Sequence, residues 1–117
     1  MGTLPLSAPP VVIGAGPAGL LAALQLAEHG YQPLLLERGK PVAERVQDVQ
    51  RFWSTGDFNP ASNVQFGEGG AGTFSDGKLT TRVNDPQMAD ILQLFVEAGA
   101  PENILYEHKP HVGTDKL

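Results

Sequence analysis

Gly14, Gly16 and Gly19 stand in the spacing Gly-x-Gly-x-x-Gly, and Glu37 lies downstream. Together these residue types can hold a dinucleotide. The first glycine permits a sharp turn, the second lets a pyrophosphate approach the backbone, and the third lets a helix pack close to a strand. A helix start adds unpaired N–H groups and about half a positive charge for the phosphates. Pro17 suits that position because early helix residues need no hydrogen-bonded N–H. The Glu37 carboxylate can accept hydrogen bonds from adenosine ribose hydroxyls and would repel a 2′-phosphate, which argues against NADP. The motif by itself does not separate FAD from NAD.

A second glycine run follows in FGEGGAGTFSDGKL, residues 66–79. Glycines 67, 69, 70, 72 and 77 crowd this stretch. Read from residues alone, it is an exposed loop with a solvated Lys78. Asp76 has sufficient explanation in the turn chemistry of Ser-Asp-Gly.

The elements that must position the first motif can be read around it. Val11, Val12 and Ile13 form a β-branched run ending at Gly14, as expected of a strand buried on both faces. Leu20, Ala23, Leu24 and Ala27 repeat at helical spacing, and Gly30 sits where a left-handed cap belongs. Leu34 to Leu36 reads as a second buried strand. Strand, loop, helix and strand make a βαβ unit. A second helix is expected from Pro41 to Gly56. Val42, Val46, Val49 and Phe52 form its apolar stripe, with Trp53 beside it, and Glu44, Arg45, Asp48 and Arg51 mostly take the other side. About thirty irregular residues follow, a length that is usually functional or disordered. A third helix is expected to be capped by Asp85, begun by Pro86 and closed by Gly99, with Met88, Ile91, Leu92 and Phe95 as its stripe.

These residues resemble a known family. VVIGAGPAGLLAALQLAEHGYQPLLLERG is similar to the FAD-binding N-terminal segment of glutathione-reductase-type flavoproteins. NVQFGEGGAGTFSDGKLTTRV and the tail EAGAPENILYEHKPHVGTDKL resemble a poorly characterised family of FAD-dependent dehydrogenases. The resemblance runs from Val11 to Leu117. It implies an FAD-dependent oxidoreductase, with NAD(P)H a candidate electron donor in the full-length form. It also implies that the second glycine run lies along the pyrophosphate, ribityl and flavin portion. Cofactor contacts are then expected from Gly14, Ala15, Gly16, Pro17, Ala18, Gly19, Glu37 and Arg38, and from Gly69, Gly70, Ala71, Gly72, Thr73, Ser75 and Lys78. Lys78 would place a positive charge near the reduced flavin or the diphosphate. For Arg38 a solvated strand end competes with contact to adenine or phosphate.

The expected fold class is α/β: an incomplete Rossmann-like βαβ unit with additional helices and a long glycine-rich loop. All 117 residues are read as one partial FAD-binding domain, since two strands do not complete a doubly wound sheet. Within it, residues 1–10 are a flexible start, 11–37 the βαβ motif, 38–87 a helix plus the cofactor loop, and 88–117 a helix and tail. The partners expected are FAD, a small-molecule substrate and the remainder of a longer protein. The net charge of −5 offers no general attraction to nucleic acid or anionic lipid. No signal or membrane segment is evident, so a cytoplasmic protein is expected. With no cysteine there is no thiolate chemistry, and His29, His108 and His111 lack metal-ligand spacing. Two rival readings stay open: an NAD-dependent Rossmann domain, and a truncated form that retains the signature without holding cofactor.

Overall fold

A computed structural model describes residues 5–75 and 85–106. The chain divides into two compact units, Met1–Ala71 and Gly72–Leu117, and the division falls inside the second glycine run.

The first unit is the expected α/β motif. Strand β1 (Val11–Ile13) and strand β2 (Leu34–Leu36) pair in parallel, with Val12 opposite Leu35. Helix α1 (Pro17–Glu28) connects them and packs on both. Pro17 occupies its first turn, where the missing N–H costs nothing. Its end is a Schellman cap. The Gly30 N–H donates to the Ala27 carbonyl and the Tyr31 N–H to the Leu26 carbonyl, both at 3.0 Å. Gly30 has φ +86°, a conformation that side chains resist.

The strands depart from the expectation of burial on both faces. Val12 and Leu35 are half-buried, on the face that α1 covers. Ile13 is 85% exposed, and Val11, Leu34 and Leu36 are exposed too. Side chains alternate across a strand, so one layer of helix can cover only one face.

Helix α2 (Val42–Thr55) ends at Gly56 as expected, but its inward face is not the expected stripe. Val49 is buried, while Val42, Phe52 and Trp53 are exposed. Arg45 and Asp48, expected on the solvent side, are buried in their place. Positions 45, 48 and 49 share one helix face, and the chain from Asn59 to Gly70 covers it with polar backbone. Backbone carbonyls need donors, and Arg45 supplies them.

That covering segment lacks regular structure but is closely bonded. The Asn63 Oδ1 accepts from the N–H groups of Gln65 and Phe66, and Asn59 Oδ1 from that of Ala61. Such Asx bonds let short polar side chains stand in for a backbone ladder.

In the second unit, helix α3 (Met88–Glu97) packs on a 3-10 turn at Glu102–Leu105, whose Ile104 is buried. Helix α3 begins at Met88 rather than at Pro86. Asp85 caps the turn that precedes it, accepting from the Gln87 N–H at 2.8 Å. Gly99 closes the helix with the same cap geometry as Gly30.

Candidate dinucleotide-binding site

The three glycines of the first motif are separated by what the fold demands of each. Gly14 has φ +100°, so the turn out of β1 requires it. A Cβ on Gly19 would run into the Gly14 carbonyl oxygen, so close packing requires it. Gly16 is different. Its backbone is extended (φ −81°, ψ −177°), which any residue adopts, and a Cβ there would meet no atom within 4 Å among the described residues. Nothing described in the protein uses the space that Gly16 leaves open. It lies at the start of α1, where no side chain caps the helix.

Glu37, just beyond β2, is tied to the same loop. The Ala15 N–H donates to its Oε2 at 2.8 Å, and the Gly39 N–H to its Oε1 at 2.7 Å. The Gly39 bond, then the Ala15 bond, hold its carboxyl below the usual carboxylate range, so it is an anion at neutral pH. Each carboxylate oxygen has a further acceptor position, which leaves room for ribose hydroxyls. Arg38 is exposed, with its guanidinium carbon 5.8 Å from the centre of the Phe66 ring.

The second glycine run reaches the first loop. The Gly69 N–H donates to the Ala15 carbonyl at 2.7 Å. A Cβ on Gly70 would lie 3.4 Å from both Gly16 Cα and Pro17 Cδ. Gly69 and Gly70 therefore join the first-loop residues, and Ala71 ends the same unit. Gly72, Thr73 and Ser75 belong to the second unit, where the Ser75 hydroxyl donates to the Gly72 carbonyl. Lys78 lies outside the described residues, as do His108 and His111. His29 caps α1, its Nδ1–H donating to the Gln25 carbonyl at 2.7 Å.

Arg45 and Asp48, which charge patterning placed on the solvent side, instead anchor the segment before the second run on α2. Arg45 is fully buried. Its Nε donates to the Asn63 carbonyl (2.8 Å), Nη2 to that of Val64 (3.0 Å) and Nη1 to that of Glu68 (2.6 Å). A Cβ on Gly67 would sit 2.5 Å from Arg45 Cδ, and its φ of +126° also favours glycine, so both the arginine beneath it and the backbone call for glycine there. Burial pulls the Arg45 pKa down and the nearby Glu37 carboxylate opposes this. An arginine stays protonated regardless. Glu68 returns to α2, its Oε2 accepting from the Val42 N–H at 2.7 Å. The buried Asp48 carboxylate has Lys40 Nζ 3.0 Å from one oxygen and Arg51 Nη1 3.7 Å from the other. The Ser62 hydroxyl first, and then Lys40, hold Asp48 below its ordinary pKa. The available signal was the placement of Arg45 and Asp48 on the same helical face as Val49.

Residues 12–67 match the model of the NAD(P)-binding Rossmann-like domain. This Rossmann-like segment contains the first motif, Glu37, Arg45 and two of the three carbonyls that Arg45 holds. The match supports a nucleotide cofactor. An uncharacterized protein of Clostridium beijerinckii is 56% identical over 116 residues, 99% of this chain and 22% of that protein. The hydrogen cyanide synthase subunit HcnB of Pseudomonas protegens is 53% identical over 32 residues, 27% of this chain and 7% of that protein. The chain thus spans less than a quarter of the length of either relative. Among the described residues no helix is long and apolar enough to cross a membrane, and no acidic or histidine cluster could hold a metal ion.

Proposed function

We propose that this chain binds FAD and is the cofactor-binding part of a flavin-dependent oxidoreductase. The observation that carries the reading is the open space at Gly16, beside an uncapped helix start and the anionic Glu37. In this reading the Gly16 loop receives the pyrophosphate. The first N–H groups of α1 donate to it, and the helix dipole favours its negative charge. Glu37 keeps its two backbone donors and accepts from the adenosine ribose with its remaining lone pairs. Its charge disfavours a 2′-phosphate at the same place.

Two features favour FAD over NAD: the resemblance of the second glycine run to that of FAD-dependent dehydrogenases, and the docking of Gly69 and Gly70 on the first loop. Once bound, the flavin supplies hydride or electron transfer through its ring system. The protein residues described here bind and orient it. A nicotinamide dinucleotide is the second reading, favoured by the matched domain's description. Titration of the purified chain with FAD, NAD and NADP, followed by flavin fluorescence and calorimetry, decides between them. Saturable FAD binding with weak NAD binding supports the proposal. Saturable NAD binding without FAD binding overturns it in favour of the second reading.

A further inference from the structure

Resting on the reading of Gly16 as the pyrophosphate contact, we infer that Arg45 is a positioning residue that passes its charge to that contact through two peptide groups in series. The connection can be followed atom by atom. Arg45 Nη1 donates to the Glu68 carbonyl at 2.6 Å. The N–H on the other side of that same peptide group is that of Gly69, and it donates to the Ala15 carbonyl at 2.7 Å. The N–H across the Ala15 peptide group is that of Gly16. A buried cation thus stands at the head of a chain of two hydrogen-bonded peptides that ends on the N–H beside the open space.

Hydrogen bonds in series polarise one another, and a charged donor at the head makes the first of them stronger. Burial matters to the device, since an exposed guanidinium would be screened by water. Arg45 is held by bonds to Asn63 and Val64 as well, so its position does not depend on ligand. The second glycine run then has a task of its own in the first unit: it carries the peptide group that joins Arg45 to the phosphate loop. A lysine would retain the charge but lacks the planar fork that reaches three carbonyls. A methionine would retain bulk and lose both charge and donors.

The test compares the full chain with Arg45→Lys and Arg45→Met in amide-resolved NMR without ligand, then in titration with FAD. In the wild type, a through-hydrogen-bond coupling between the Gly69 nitrogen and the Ala15 carbonyl carbon is expected; its absence overturns the inference without any variant. In Arg45→Met the Gly69 amide should lose protection from exchange at least tenfold and the Gly16 amide proton should move upfield. FAD affinity should fall at least tenfold, with partial recovery of both amide signals and affinity in Arg45→Lys. A lysine variant indistinguishable from the methionine variant would leave Arg45 a packing residue and overturn the charge role. An Arg45→Met protein that keeps the Gly69 and Gly16 signals overturns it too. If the methionine variant does not fold, the wild-type coupling and the lysine variant decide. The ligand-free signals test the relay even where the wild type binds no FAD, an outcome that instead removes the proposed function.

Discussion

Gly16 and Gly19 belong to one motif, yet their substitution should have opposite consequences. A Cβ at Gly19 collides with the Gly14 carbonyl oxygen, a backbone atom that cannot swing aside. Overpacking of this kind costs about 1–3 kcal/mol. Alanine recovers up to about 1 kcal/mol in helix propensity because Gly19 lies inside α1. Because the collision is with backbone, the cost lies at the upper end of that range, and the net loss is about 2 kcal/mol, a fall in Tm of roughly 8–16 °C for a unit this small. At Gly16 the extended backbone accepts any side chain and meets no neighbour within 4 Å among the described residues. Restricting the unfolded chain gains about 0.4–1 kcal/mol, and replacing glycine at the helix start loses a similar amount. Gly16→Val should therefore leave Tm within about 4 °C of wild type. In the pyrophosphate's approach the branched side chain should cost at least about 100-fold in FAD affinity. Thermal unfolding followed by circular dichroism, paired with FAD titration, measures both arms. A Gly16→Val protein that melts as low as Gly19→Ala would refute the division between structural and ligand-facing glycines. So would unchanged affinity.

Two further outcomes follow from the carboxylates. Glu37→Gln keeps an acceptor for the Ala15 or Gly39 N–H and for a ribose hydroxyl, so it should weaken FAD retention less than Glu37→Ala; the reverse order would contradict the ribose role. Asp48 and Glu37 both have lowered folded pKa values. Their stabilisation is fully present above the ordinary carboxylate range near pH 4 and is lost as pH falls through the folded values. Urea unfolding midpoints should accordingly drop below about pH 4, and less steeply in Asp48→Asn. An equally steep drop in that variant would show that Asp48 does not contribute.

The βαβ unit was legible because its signals are local. A β-branched run, helical spacing and Gly30 each act within a few residues, and the structure returns β1, α1 and β2 at those places. Glycine spacing likewise marked the first loop. Arg45 and Asp48 were misplaced because charge alone predicts exposure. Their burial depends on carbonyls and on a serine that come close only when residues 59–70 fold back over α2. The identity of Gly67 was illegible for the same reason, since the arginine it accommodates lies far off in sequence. The strand faces were legible only as apolar. An apolar run shows what a strand can bury, and α1 covers one face only.

In the proposed site, Gly69 and Gly70 join the first glycine loop around the dinucleotide. Amide spectra of the chain with and without FAD test it most directly. Ala15, Gly16 and Gly19 should shift together with Gly69 and Gly70, saturating at one FAD per chain. Shifts confined to the first loop, or no shifts in either run, would contradict it.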